Sequence, residues 1–200
     1  MATYSITQYQ AIIARAMDPR DVGVITVGAF NAGINNNVIP EEATLKLNFR
    51  FFSEAVHNQL FNGVKNISEG IARTYGMPED KLPTIVRKGQ TPPLINDVET
   101  MNRLNGALRR SGVADGANLI DQFRAITGSE DFPSLYQGLE DVKAVYNFIG
   151  VAAPEVYAKA KAEGLEFPYM NHQPSFVVDI NAIPFGAKVA SVMTIELLAP

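Results

Sequence analysis

Residues 44–52 read TLKLNFRFF, and this stretch decides the fold. Leucine and phenylalanine alternate with polar residues from Thr44 to Arg50. Successive side chains of a strand point to opposite faces, so this period of two predicts a strand with one buried and one polar face, as in an antiparallel sheet. Arg50 is then expected on the polar face, together with Lys46 and Asn48.

Patterns on both sides of this strand predict a small α+β unit. Apolar residues recur at helical spacing or in β-branched runs, and Asn, Gly and Pro separate the runs. The predicted elements are helices over residues 5–17 and 53–76, strands over 22–27 and 82–87, and a loop over 30–37. Residues 1–88 therefore resemble a βαββαβ sheet that lacks its first strand.

The second part of the chain is mostly helical by pattern. Gly and Pro within residues 88–96 indicate a hinge, so we place a domain boundary between Lys88 and Gly89. The elements predicted beyond it are helices over 98–112, 130–136, 154–163 and 181–198, and a buried strand over 143–151. Asp179 is a candidate N-cap for the last helix. The predicted fold class is α/β, with one domain over residues 1–88 and another over 89–200.

Composition narrows the function classes. With 46% hydrophobic and 19% charged residues among 200, the chain can bury a core. A net charge of −4 argues against a nucleic acid or an anionic membrane as partner. The absence of cysteine excludes disulfides and thiolate chemistry. No apolar run is long enough to span a bilayer, and residues 1–7 lack the pattern of a signal peptide, so a cytoplasmic location is expected.

Residues 170–176, MNHQPSF, contain the best candidate for a metal ligand. His172 lies in a short polar turn, and a neutral imidazole is a common ligand of transition metals. However, the chain has only one other histidine, His57, which is not at ligand spacing and is expected on the surface. The residues alone therefore leave two readings open for His172: a metal ligand, or a partly buried histidine that donates to a backbone carbonyl.

Four stretches, taken in order, resemble a known enzyme family. They lie at residues 18–28, 33–50, 128–132 (GSEDF) and 172–176 (HQPSF). Together they resemble the lid and the C-terminal catalytic portion of the aminoacylase/carboxypeptidase-like di-metal amidohydrolases, most closely the hippurate hydrolases and the indole-acetyl-amino-acid hydrolases. The resemblance covers essentially the whole chain. It implies that residues 1–88 form a lid and dimerisation unit, and that residues 89–200 form the end of the catalytic α/β domain.

The resemblance also implies roles for five residues. His172 would bind one of two divalent metal ions, zinc or manganese, in the complete enzyme. Ser129 and Glu130 would lie beside that site and orient a ligand or the substrate, although Glu130 is also suited to cap a short helix. Asn37 and Arg50 would hold a carbonyl or carboxylate of the substrate from the lid. Without the resemblance, Asn37 is an ordinary turn residue and Arg50 a solvated sheet residue.

Members of this family are much longer than this chain, and their N-terminal half supplies the other metal ligands and the catalytic base. We therefore expect a C-terminal half that is inactive alone: a fragment, a truncated reading frame or one piece of a split protein. The expected activity of the whole enzyme is hydrolysis of the amide bond of N-acyl amino acids. The alternative is a non-catalytic α/β dimerisation or interaction module. In either case a homodimer through the lid is expected.

Overall fold

A computed structural model describes residues 1–114, 119–121 and 123–199 of the chain. Its helices and strands are α1 (Ala2–Ala11, continued by a π-helical turn Ile12–Ala16), β1 (Gly23–Ala32), β2 (Ala43–Phe51), α2 (Glu54–Thr74), α3 (Val98–Ser111), α4 (Pro154–Ala162) and α5 (Ala182–Leu198). Short 3₁₀ turns lie at Glu79–Lys81 and Phe132–Leu135. The predicted α/β class is confirmed, with an antiparallel sheet and helices. None of the helices described combines the length and apolar character needed to cross a bilayer.

The chain forms two compact units. The first contains Met1–Leu94 together with Ala125–Leu139, and the second contains the described residues between Ile95 and Arg124 and from Glu140 onward. The domain boundary between Lys88 and Gly89 stays a prediction.

In the first unit, β1 and β2 form an antiparallel hairpin. Ile25 lies opposite Phe49 and Val27 opposite Leu47, after which Gly28 is an extra residue and the register shifts. This is a β-bulge, a position that glycine fills easily. The prediction for β2 is confirmed, but the predicted loop over 30–37 was wrong at its start, because β1 runs on to Ala32. Pairing with β2 outweighs the turn preference of Asn31 there.

The apolar face of β2 packs against α2, and α1 packs against both α2 and β1. Helix α2 begins after Ser53, whose hydroxyl accepts a hydrogen bond from the Val56 amide at 3.3 Å, an ordinary N-cap. Gly63 allows close helix packing, since a Cβ there would lie 2.8 Å from Ile12 Cδ1. The buried core of this unit consists of Tyr9, Ile12, Ile25, Val56, Leu60 and Val64.

In the second unit, α3 packs against α5 around Leu104, Leu108, Val189 and Met193. Three helices were predicted within two residues of their observed ends, at 98–112, 154–163 and 181–198. The N-cap of α5 was predicted wrongly. Asn181 occupies that position, and the Asp179 carboxylate instead accepts the Asn181 amide at 3.0 Å.

Two predicted strands are extended segments that pair with no other strand in the described parts of the chain. In residues 82–87, Ile85 packs against the first core. In residues 143–151, the Asn96 side chain takes the place of a neighbouring strand: its Nδ2 donates to the Tyr146 carbonyl at 2.9 Å, and its Oδ1 accepts the Tyr146 amide at 2.7 Å. A β-type pattern predicts extended backbone, but the partner is decided by tertiary structure. The helix predicted over 130–136 is only the 3₁₀ turn.

His57 was predicted wrongly to lie on the surface. Its side chain is 6% exposed and lies among Phe49, Phe51 and Phe61. The error arose because the phenylalanines around His57 cover this part of α2. The polar residues next to His57 in the sequence do not indicate those contacts.

Candidate substrate-binding and metal-binding residues

Arg50 lies on the polar face of β2, opposite Val24 of β1. Lys46 and Asn48 on the same face are exposed, whereas Arg50 is half-buried. Its Nη1 donates a hydrogen bond to the carbonyl oxygen of Thr127 at 3.1 Å. Thr127 belongs to the first unit although it lies far along the chain. The structure therefore brings Arg50 next to the segment that carries Ser129 and Glu130.

Ser129 and Glu130 form a turn with local hydrogen bonds. The hydroxyls of Ser129 and Thr91 lie 3.3 Å apart. Glu130 Oε1 accepts the amides of Asp131 at 3.0 Å and Phe132 at 3.4 Å. These bonds fix the Glu130 carboxylate just before the 3₁₀ turn, whose N-cap residue is Asp131, and a ligand-orienting role stays a prediction. Sequence reasoning missed Thr91, because its sequence position carries no signal of this contact.

Asn37 lies in the exposed loop between β1 and β2. The loop turns at Gly33, where φ is +69° and a Cβ would lie 2.7 Å from Pro40 Cγ, so only glycine fits without a shift. Ile34 and Ile39, which flank Asn37, are almost fully exposed. Asn37 is therefore at the tip of the hairpin, and its predicted role in substrate binding stays a prediction.

His172 lies in the second unit, in an exposed turn. Its φ is +66°, a left-handed conformation that is uncommon outside glycine. The turn is closed by two hydrogen bonds of Gln173: its side-chain oxygen accepts the Met170 amide at 3.1 Å, and its carbonyl accepts the Phe176 amide at 3.0 Å. Backbone strain of this kind, held by its surroundings, is often associated with a functional residue.

The described residues do not group into a complete metal site. Among residues 1–114, 119–121 and 123–199, no three His, Cys, Asp or Glu side chains are grouped so that they could hold a metal ion. A catalytic zinc site uses three protein ligands. His172 alone therefore does not provide one, and the prediction of His172 as a ligand requires groups from beyond the described residues.

Asp18, at the start of the first resembling stretch, is bound to Arg20. The carboxylate accepts hydrogen bonds from the Arg20 amide at 2.9 Å, from Nε at 3.0 Å and from Nη2 at 2.6 Å. These bonds hold the pKa of Asp18 below its usual value. The pair is exposed, closes the turn between α1 and β1, and gives Asp18 a structural role there.

Comparison with known proteins agrees with the fold of the first unit. Residues 12–75 match the M20-type family described as "Peptidase dimerisation domain". A crystal structure of a putative aminohydrolase from methicillin-resistant Staphylococcus aureus superposes with a TM-score of 0.73. It covers 98% of this chain and 46% of that chain at 23% identity. At this identity the likeness concerns the fold alone.

Curated relatives are similar along nearly the whole chain. N-acetyldiaminopimelate deacetylases of Streptococcus sanguinis and Streptococcus thermophilus are 32% and 35% identical over 187 residues. That is 94% of this chain but 43% of each relative, so the chain spans less than half of their length. The Streptococcus suis enzyme of that name is 32% identical over 197 residues. These matches support a relationship to the M20 amidohydrolases. They are deacetylases rather than hippurate hydrolases, so the expected closeness to hippurate hydrolases stays a prediction.

Proposed function

We propose that this chain, which is similar to M20 amidohydrolases in sequence and fold, is part of an enzyme that hydrolyses the amide bond of N-acyl amino acids. The observation that carries the proposal is the similarity to N-acetyldiaminopimelate deacetylases over 94% of the chain. An N-acetyl amino acid is accordingly the proposed substrate class. A cytoplasmic location is part of the same proposal.

Arg50 and Asn37 are the proposed substrate-binding residues. A guanidinium presents paired N–H groups in a plane, which matches the two oxygens of a carboxylate. The contact with Thr127 uses one N–H of Nη1, which leaves further donors of the guanidinium for such a fork. Asn37, at the hairpin tip, offers an amide donor for a carbonyl. Every N-acyl amino acid carries a carboxylate, so these two contacts would select this class of substrate. Recognition of the substrate's side chain would depend on other residues.

His172 is proposed as one ligand of a divalent metal ion, zinc or manganese, in the whole protein. Two features support this: the imidazole is exposed, and the strained turn that carries it is closed by Gln173. Ser129 and Glu130 are proposed to orient a ligand or the substrate, in addition to the bond that Glu130 accepts from the Asp131 amide. The remaining metal ligands and the catalytic base would come from outside the described residues.

A chimera tests the proposed function. The segment of the Streptococcus thermophilus N-acetyldiaminopimelate deacetylase that aligns with this chain is replaced by the chain itself, and acetate release from N-acetyl amino acids is measured with added manganese or zinc. Activity is expected in the chimera. His172→Ala should lower it by at least about a hundredfold, because loss of a ligand should cost more than the roughly 10–100-fold typical for loss of an outer-shell partner. The matched control is His57→Phe, which changes the other histidine and keeps the aromatic cluster around it. A folded chimera that releases no acetate from any N-acetyl amino acid would contradict the proposal.

A second candidate function is a dimerisation or interaction module without catalysis. It is favoured by the match of residues 12–75 to a peptidase dimerisation domain. We propose a homodimer through the first unit under both candidates. Sedimentation velocity of the 200-residue chain should show a dimer. A dimer whose chimera is folded but inactive would support this second function over the first.

A further inference from the structure

We infer that Arg50 is a positioning residue that fixes the turn at residues 127–132 against the sheet. The Arg50 Nη1 bond to the Thr127 carbonyl, at 3.1 Å, is half-buried and joins residues 77 positions apart. The acceptor is a backbone carbonyl, so the contact fixes the path of the chain at Thr127 rather than one side chain. Ser129 and Glu130 lie within the next three residues.

A second tie holds the same turn. The Ser129 hydroxyl lies 3.3 Å from that of Thr91, and Thr91 is itself next to Gln90. Gln90 Nε2 donates to both carboxylate oxygens of Glu54, at 3.3 and 3.2 Å. Glu54 is the first residue of α2. The turn is thus tied directly to β2 through Arg50, and through Thr91 and Gln90 to the start of α2.

These hydrogen bonds determine the positions of the Ser129 and Glu130 side chains. Glu130 Oε1 already accepts two amides of its own turn, so its carboxylate is fixed to the local backbone. Once Thr127 is anchored by Arg50, the Glu130 carboxylate and the Ser129 hydroxyl acquire a defined position relative to the polar face of β2. The consequence for the enzyme rests on the proposed function: the residue that binds the substrate carboxylate would also hold the turn that faces the substrate.

Substitutions at position 50 distinguish this anchoring role from that of a solvated sheet residue. Lys46 lies on the same face of the same strand but is exposed. A lysine at position 50 keeps a charged donor for the Thr127 carbonyl, whereas methionine keeps the length of the side chain without a donor. The anchoring role therefore predicts that lysine rescues and methionine does not.

Amide hydrogen exchange on the 200-residue chain, without substrate or metal, tests the inference. Arg50→Met should raise the exchange rate of peptides within residues 125–139 about fivefold, as expected for the loss of one ordinary hydrogen bond. Arg50→Lys should restore most of the protection, and Thr91→Val should raise exchange in the same peptides to a smaller extent. Lys46→Met is the matched control and should leave them unchanged.

Three results would overturn the inference: Arg50→Met behaving like Lys46→Met, faster exchange spread evenly over the whole chain, or no rescue by lysine. No catalysis is measured, so this experiment can fail while the chimera is active. It can also succeed while the chimera is inactive, and the two proposals are judged separately.

Discussion

The imidazole of His57 packs against the phenyl ring of Phe51, with ring centroids 4.7 Å apart. His57 Nδ1 is buried without a hydrogen-bond partner among the described residues, and Glu54 Oε2 lies 3.6 Å from it. The ring therefore contributes to an aromatic cluster, while one of its nitrogens has lost water without gaining a bond. Phe61 of the same cluster carries the Arg87 guanidinium 4.0 Å above its ring.

His57→Phe should stabilise the chain. The substitution keeps an aromatic ring between Phe51 and Phe61 and removes the unsatisfied nitrogen, which costs about 1 kcal/mol or more when buried. The free energy of urea-induced unfolding should rise by about 1 kcal/mol at neutral pH. His57→Gln, polar and without a ring, should lower it. Equal stability of His57→Phe and His57→Gln would show that the cluster does not depend on an aromatic ring at this position.

Leu60→Ala should lower the free energy of unfolding more than Leu135→Ala, a second leucine truncation in the first unit. Leu60 is fully buried in the core, whereas Leu135 is 77% exposed. Truncation at position 60 leaves a cavity and should lower the free energy of unfolding by about 2–5 kcal/mol. Leu135→Ala should change it by about 0.5 kcal/mol or less. Circular dichroism in urea measures both, and similar losses would mean that Leu60 is not at the centre of a packed core.

Thr100→Val should raise the pKa of Asp97, the N-cap of α3. Asp97 Oδ1 accepts the Thr100 hydroxyl at 2.6 Å and the Thr100 amide at 2.8 Å, and these bonds hold the pKa of Asp97 below its usual value. Valine removes the hydroxyl but keeps the amide and the shape. Serine keeps both donors and is the matched control. Titration of the Asp97 carboxyl carbon by NMR measures the change.

The sign of the pH effect is set by that lowered pKa. A carboxyl whose pKa is lower in the folded chain stabilises it fully above the unfolded value of ~3.9, and this stabilisation is lost as the pH falls through the lower folded value. The stability difference between the parent chain and Thr100→Val should therefore be largest near neutral pH and shrink in acid. A difference that grows in acid would contradict the assignment of Asp97 as a charged cap.

His172→Gly should leave the chain about as stable as the parent, and His172→Val should destabilise it. Glycine adopts a φ of +66° without strain, whereas a β-branched residue there is a rare outlier. A loss of about 1 kcal/mol is expected for valine. Asp141, with a φ of +64°, provides a second position for the same pair of substitutions. Equal stability of the valine and glycine variants would mean that the left-handed turn is not retained.

Elements with a strong local period could be predicted from the sequence. Strand β2 and helices α2 and α3 have an unbroken apolar face, and caps or glycines mark several of their ends, such as Ser53 and Gly112. The role of Arg50 was predicted only through a family resemblance, and the residues alone left two readings open for His172, because a single arginine or histidine has no period.

The features that could not be predicted depend on contacts between residues that are far apart in the sequence. The Asn96 side chain that pairs with Tyr146 lies 50 positions from it, and the Thr127 carbonyl that Arg50 binds lies 77 positions away. The extension of β1 to Ala32 and the burial of His57 have the same origin. Local propensity was overruled in these places by contacts that no window of sequence contains.

The extra residue at Gly28 has an evolutionary consequence. Val27 pairs with Leu47 and Ala29 with the adjacent Lys46, so a sequence lacking Gly28 would keep every cross-strand partner of the hairpin. Such a deletion would change the local twist, since a bulge bends its strand and re-aims the residues beyond it. The direction of the Asn37 loop can therefore evolve by insertion or deletion of one glycine, without any change in the core that supports it.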